Sequence, residues 1–430
     1  MNGPIAVIGG GYAGFAAAIT LADANCSVTV FEAARTVGGR ARRLSLAGSS
    51  VDNGQHILLG AYRQTLALLR TVHGARSEHE LLDRRRLHLE QPGVFRLATW
   101  RLPAPLHLAS ALLTARGLTW GERLTTVAFV RRIERHEFRC AADMSVAALL
   151  EGQPAAAVHL LWEPLCLAAL NTPIASASAQ VFLNVLRAAF AARAHDADLL
   201  LPRVDLSTLF PDAAAAYVAS RGGTIRVGER VDALRATAGG IRVATGRGEE
   251  RFSAAVIAVG PHQLSHLSAD NATSAVLAQV AALAYEPICT AYLQYPRALM
   301  AAQPMLKLDN APGQWLFDRG QLGGPQGLAA VMISSSQPCL ALSQEQLARD
   351  IDAQLRRMMV DLPAPSWSKV VTERRATYAC VADRARPTAG PIAPHLYLAG
   401  DYTDQEFPAT LEAATRSGVA AARALLGAER

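Results

Sequence analysis

Gly9, Gly11 and Gly14 stand in the spacing G-x-G-x-x-G, and a carboxylate, Glu32, follows about 20 residues on. Gly9 permits a tight turn. Gly11 lets the backbone approach a pyrophosphate, and Gly14 lets a helix pack close to a strand. A helix starting in this turn offers free N–H groups to phosphates. Glu32 is placed to accept from both hydroxyls of a ribose. The pattern predicts a dinucleotide site. A second cluster, Asp52, Asn53, Gln55 and His56, lies directly before the apolar Ile57, Leu58 and Leu59. Asp-Asn-Gly is ordinary turn composition. Polar groups against an apolar run also suit the wet end of a pocket for an apolar ligand. The cluster therefore reads either as a surface turn or as the reactive end of such a pocket.

These groups need elements to hold them. Residues 5–8 form the short apolar run of a buried parallel strand. Residues 16–21 favour helix, and 27–31 make a second strand that ends at Glu32. At the far end, residues 396–399 read as a strand ending at Gly400-Asp401, with an alanine-rich helix from about Pro408. In between, Gly222-Gly223 precede a strand, Val231 opens another, and "FSAAVIAVGP" is a strand ending at Gly260-Pro261. Residues 84–101 predict a hairpin turning at Pro92-Gly93. Residues 105–193 are mostly helical, 287–295 and 327–335 are strands, and 343–360 is a helix. No repeat or low-complexity linker separates these parts, so interwoven domains are expected.

Composition narrows the classes. The 430 residues are 51% hydrophobic and 18% charged, as in a folded globular protein with a large core. The net charge of +6 is basic, but no basic tail, zinc-finger spacing or RNP-like pattern supports a nucleic-acid binder. The six cysteines are scattered with no C-x-x-C pair, which suggests neither a disulfide framework nor a thiolate metal site. The start "MNGPIAVIGGG" lacks the regions of a signal peptide, and no apolar run reaches the roughly 18 residues of a spanning helix. The expected compartment is the cytoplasm. Residues 102–120 are Leu/Ala-rich. In 121–139, Leu124, Val127, Val130 and Ile133 fall mainly on one side, with Arg131, Arg132, Arg135 and Arg139 behind. That pattern fits contact with a membrane surface, and equally a core-packed lid helix with a solvated basic face.

Gly38-Gly39-Arg40, just after the acid, resembles the second motif of flavin amine oxidases and carotenoid-type desaturases. The resemblance implies FAD rather than NAD, with Gly39 on a tight path and Arg40 near the flavin phosphates. It implies that Asp401, after Gly400, holds the ribityl or phosphate region. It also implies that the N–H groups near Thr410 and Leu411 point at the flavin C2 carbonyl, favouring the anionic reduced ring. Val231 would lend backbone to the adenine, and Gly260 would mark a return to the cofactor. Motifs at both ends of the chain are what an FAD protein needs and an NAD dehydrogenase does not.

The stretches "VDNGQHILLGAYRQTLALLR", "LWEPLCLAALNTP", "ASAQVFLNVLR", "DLLLPRVDLSTLFP" and "AGDYT…PATLEAATRSG" are similar to the hydroxysqualene dehydroxylases, the squalene-associated FAD-dependent desaturases of bacterial hopanoid pathways. The likeness runs nearly end to end. It implies an α/β fold with a discontinuous Rossmann-like, GR2-type FAD-binding domain from residues 1–83, 205–285 and 375–430. An interwoven α+β substrate domain would take 84–204 and 286–374, with 102–139 as the segment whose basic amphipathic pattern fits either membrane-facing or lid helices. It implies reductive loss of an allylic hydroxyl, with an isoprenoid substrate, hydroxysqualene, and an electron donor for the flavin as partners. His56 would then be the proton donor, because its ordinary pKa of about 6.5 leaves both forms accessible. Asp52 would orient it, or act itself if burial raises its pKa. Asn171 would donate to the substrate oxygen, and a water held by Gln55 or Asn171 is an alternative acid. No metal is implied. Other FAD oxidoreductases of this fold, carotenoid desaturases and amine oxidases, remain open. So does a prenyl-lipid carrier of the GDP-dissociation-inhibitor kind, although it would have no reason to keep both flavin motifs.

Overall fold

The computed structural model describes residues 3–428 except 75, 77, 238, 265, 266, 268–273 and 360. A six-stranded sheet organises the cofactor end. Its order is Thr224–Val227, Val28–Glu32, Ile5–Ile8, Ala254–Ile257, Leu396–Leu398 and Gly390–Ala393. The first five strands run parallel and the last is antiparallel. The central strands Ile5–Ile8 and Ala254–Ile257 are buried throughout, as a parallel sheet covered on both faces requires. Three stretches far apart in the chain thus share one sheet. The helix Tyr12–Asp23 packs on it beside the helix Leu411–Gly427. The two helices approach so closely that a Cβ on Gly418 would lie 2.1 Å from the Ala13 carbonyl oxygen.

A second sheet of five antiparallel strands follows the order Met305–Lys307, Trp315–Asp318, Leu328–Ser334, Tyr285–Gln294 and Trp367–Tyr378. Side chains alternate across it. Cys289, Ala291, Leu293, Val331 and Ile333 pack with residues of the helix Gln344–Met358. Tyr292, Trp315, Phe317 and Met332 turn to the opposite face. The predicted hairpin is present as His88–Gln91 paired with Phe95–Ala98.

The helical region includes Leu106–Leu113, Trp120–Arg135, Glu163–Leu170 and Ala179–Phe190. Thr119 and Glu122 cap the second of these reciprocally in a capping box. Its buried positions, Thr126, Phe129, Val130 and Ile133, fall at the helical period and face the core. The one-sided stripe expected from the sequence is therefore divided. Val130 and Ile133 are buried, Val127 is half-buried and Leu124 is exposed. No helix among the described residues is long and apolar enough to cross a membrane.

Candidate active site

The C-terminal ends of the parallel strands and the inner face of the antiparallel sheet share a cavity of about 500 Å³. Ligands of open α/β sheets bind at those strand ends. The glycine turn lies at one end. A Cβ on Gly14 would fall 1.8 Å from the Gly9 carbonyl oxygen, so only glycine lets this helix start so close to the strand. Gly11 faces open space, with nothing within 4 Å of where its Cβ would be. Both oxygens of Glu32 are already held, Oε2 by the Gly10 N–H at 2.9 Å and Oε1 by the Ala34 N–H at 2.8 Å. Each keeps further lone pairs for a ribose hydroxyl.

Arg40 reaches across the cavity. Its guanidinium pairs with Asp401 Oδ1 at 2.6 Å and donates to the Ala376 carbonyl at 3.0 Å. Asn53 fixes the loop that carries Arg40. Its Oδ1 accepts from the Arg42 N–H at 3.0 Å, and its Nδ2 donates to the Arg40 carbonyl at 2.7 Å. Thr410 caps the C-terminal helix through the Ala413 N–H at 3.1 Å. Leu411, its first residue, therefore presents to the cavity one of the N–H groups that no helix can satisfy internally. Gly39, Gly260, Gly400 and Asp401 also line the wall. Open space at Gly11, a held carboxylate, a clamped arginine and a free helix terminus are the donor and acceptor set that a dinucleotide flavin fits. Val231 is buried at the start of its strand and does not line the wall. The segment just before it reaches the Glu32 strand end, where the Gly228 and Glu229 N–H groups bond the carbonyls of Ala34 and Glu32.

The second cluster is no surface turn. Asp52, Asn53 and Gln55 are buried, and residues 53–57 line the cavity. Its members have different tasks. His56 Nδ1 lies 3.0 Å from the Gly54 carbonyl. A carbonyl only accepts, so Nδ1 carries the hydrogen and Nε2 is left to the cavity. Burial lowers the His56 pKa, the Gly54 bond opposes this, and the Arg40 charge adds to the lowering. Gln55 is tied at both ends, with Nε2 to the Tyr292 hydroxyl at 2.8 Å and Oε1 to Arg319 at 3.3 Å.

Two expectations change. Asp52 does not line the cavity and makes no hydrogen bond or ion pair with His56. Its Oδ1 accepts from the Leu206 N–H at 2.7 Å, while the Tyr292 hydroxyl donates to its backbone carbonyl. Burial pushes the Asp52 carboxyl up to about 7, against the Leu206 bond and the Arg319 charge. Asn171 lines the cavity, but both its amide hydrogens are used, on Thr377 Oγ1 at 2.9 Å and the Glu286 carbonyl at 3.3 Å. Its Oδ1 accepts from Ser335 N–H at 2.6 Å. Asn171 ends its helix in the left-handed region that asparagine tolerates, and staples that helix to the antiparallel sheet. It has no hydrogen to spare for a substrate oxygen. Sequence reasoning missed Trp315, Met332, Ser334 and Glu373 on the wall. Only sheet pairing brings them there, and no local pattern marks them.

The family description "Flavin containing amine oxidoreductase" matches residues 12–426. The chain belongs to this family. As a flavin-containing amine oxidoreductase it is an FAD-dependent enzyme, and FAD is its cofactor. Among relatives, the hydroxysqualene dehydroxylase of Rhodopseudomonas palustris is 28% identical over all of both chains. That of Sinorhizobium fredii is 26% identical over 97% of this chain and 96% of its own. A probable zeta-carotene desaturase of Synechococcus elongatus is 25% identical over 99% of each. The structure of cyclohexylamine oxidase from Brevibacterium oxydans superposes with a TM-score of 0.73 over 100% of each chain, at 15% identity. That likeness speaks for the family's fold.

Proposed function

We propose that this flavoenzyme reduces hydroxysqualene to squalene in hopanoid and squalene biosynthesis. The observation that carries the reading is one cavity with two characters. His56 and the residues expected to hold flavin line it together with the apolar Ile57, Ile288, Met305, Trp315 and Met332. The names of two relatives point the same way. The reaction replaces C–OH by C–H and needs one hydride and one proton, with water leaving. Reduced FAD, when bound, supplies the hydride. The chain supplies the rest. Protonated His56, held through Nδ1 by Gly54, delivers the proton from Nε2 to the departing hydroxyl, and its lowered pKa makes it the stronger acid. The apolar wall keeps bulk water from recapturing an allylic cation.

The substrate is a lipid, and the surface is consistent with collecting one. Among the described residues, Trp100, Leu102, Leu106, Trp120 and Leu124 account for five of the eleven large apolar side chains left exposed. Arg101, Arg116, Arg131, Arg132 and Arg135 are exposed in the same segment. Aromatic and basic groups together suit the face of an anionic bilayer, and we assign peripheral membrane contact to this face.

The test is a single turnover of holoenzyme reduced without oxygen and mixed with hydroxysqualene. Stoichiometric squalene with flavin reoxidation is expected. Reoxidation without squalene, or no reoxidation beside activity on a carotenoid precursor, overturns the assignment.

A further inference from the structure

We propose that a second hydrocarbon subsite lies beneath the helices Leu106–Leu113 and Trp120–Arg135, and that it receives the distal arm of a polyprenyl substrate whose reacting carbon sits in the cofactor cavity. This rests on the polyprenyl reading above. A cleft separate from the cofactor cavity is walled there by Leu108, Leu112, Val130, Leu161, Leu165 and Phe190, with part-exposed Glu134 as its charged group.

Two features separate it from ordinary core. Trp162 is buried and lines the cleft; its ring packs edge-to-face with Phe129 at 5.4 Å, and its Nε1 has no hydrogen-bond partner. Packed interiors pair such donors. An indole N–H can rest on a π face, and a polyprenyl arm repeats C=C bonds along its length. Trp162 also closes the stretch Val158–Trp162, which winds as a π-helix. Such widened turns are rare and favour functional sites.

Position supplies the route. The π-helical stretch runs on into Glu163–Leu170. Leu165 lines the cleft, and Ala168 and Ala169 line the cofactor cavity, so one turn of helix, about 5.4 Å, joins the two. Alanine at both positions keeps the side chains on this turn short. On the far side, the helices that cover the cleft carry exposed Leu106, Trp120 and Leu124. The cleft therefore lies between the reacting centre and the proposed lipid face. Size makes it necessary. A cavity of about 500 Å³ is in the range for a single ligand of moderate size, and the flavin occupies it first. The cleft itself is narrow, about 20 Å³, so occupancy requires the covering helices to part.

The experiment uses the oxidised holoenzyme and reads ligand binding from the flavin absorbance, with no turnover needed. Geraniol, ten carbons long, and hydroxysqualene are the probes. Leu112→Phe fills the cleft. It is expected to weaken hydroxysqualene about tenfold or more while geraniol stays within twofold. Leu186 also lines the cleft; Leu186→Phe, filling from that wall, is expected to behave alike and replaces the first variant should that one lose flavin. Equal losses for both ligands, or unchanged hydroxysqualene affinity, overturn the subsite. Hydroxysqualene that binds with this chain-length dependence but is not reduced overturns the proposed reaction and leaves the subsite standing.

Discussion

Asp52→Asn tests whether that carboxylate belongs to the chemistry or to the framework. Asp52 is 3% exposed and its Oδ1 accepts from the Leu206 N–H. Burial raises its pKa from 3.8 to about 7. The native state therefore holds a proton that the unfolded chain has released. The associated stability is fully present below about pH 4 and is lost as pH rises from there through 7. A shift of about 3 units, at about 1.4 kcal/mol each, makes the loss about 4 kcal/mol by pH 8. Asparagine keeps the oxygen acceptor for Leu206 and never ionises. The variant should lie closest to the wild type below about pH 4 and melt several degrees higher near pH 8. Because Asp52 does not line the cavity, flavin content and turnover should stay within about twofold. Calorimetric melting of both proteins across this pH range is the assay. A gap in melting temperature that does not widen with pH refutes the argument, and a large loss of turnover with full flavin returns Asp52 to the mechanism.

Arg40→Ala removes the partner of Asp401 and of the Ala376 carbonyl, and is expected to lower FAD retention at least about tenfold by equilibrium dialysis, since breaking a partly buried pair strands the other charge. Arg40→Lys should recover little, because an ammonium lacks the planar fork that spans both acceptors. His56→Gln should slow single-turnover reoxidation by hydroxysqualene about a hundredfold or more. The wild-type rate should fall as pH rises through a value below the ordinary 6.5, the direction in which burial moves His56, and the variant should lose that dependence. The protein should float with anionic liposomes at low salt and partly detach at high salt; Trp100→Ser combined with Trp120→Ser should reduce flotation at every salt concentration, and equal flotation of the variant removes the assigned face.

What could be read from sequence was what short-range chemistry decides. The strand, glycine turn, helix and acid of the first 32 residues interact within one βα unit, so spacing alone marks them. The hairpin at Pro92-Gly93 is equally local. The roles of Asp52 and Asn171 were not legible, because their partners lie far off in the chain, at Leu206 for one and at Glu286, Ser335 and Thr377 for the other. Position next to His56 suggested a shared task, while the turn at Asn53-Gly54 separates the two side chains. The apolar stripe of residues 121–139 showed a helix with one greasy side, but periodicity carries no information on whether core or lipid covers it.

The contact between Arg40 and Asp401 also has a bearing on biosynthesis. It joins positions 361 apart in the chain. The strand Leu396–Leu398 and the helix Leu411–Gly427 add their sheet pairing and cavity-facing amides long after the glycine turn has been made. Until then, the edge of Ala254–Ile257 that will pair with Leu396–Leu398 is open, and open edges recruit other chains. A site that needs both Arg40 and Asp401 is therefore not whole until residue 401 has been made. Truncation before Leu396 leaves the glycine turn with nothing opposite it and that sheet edge unpaired, and is expected to give an apoprotein prone to aggregate.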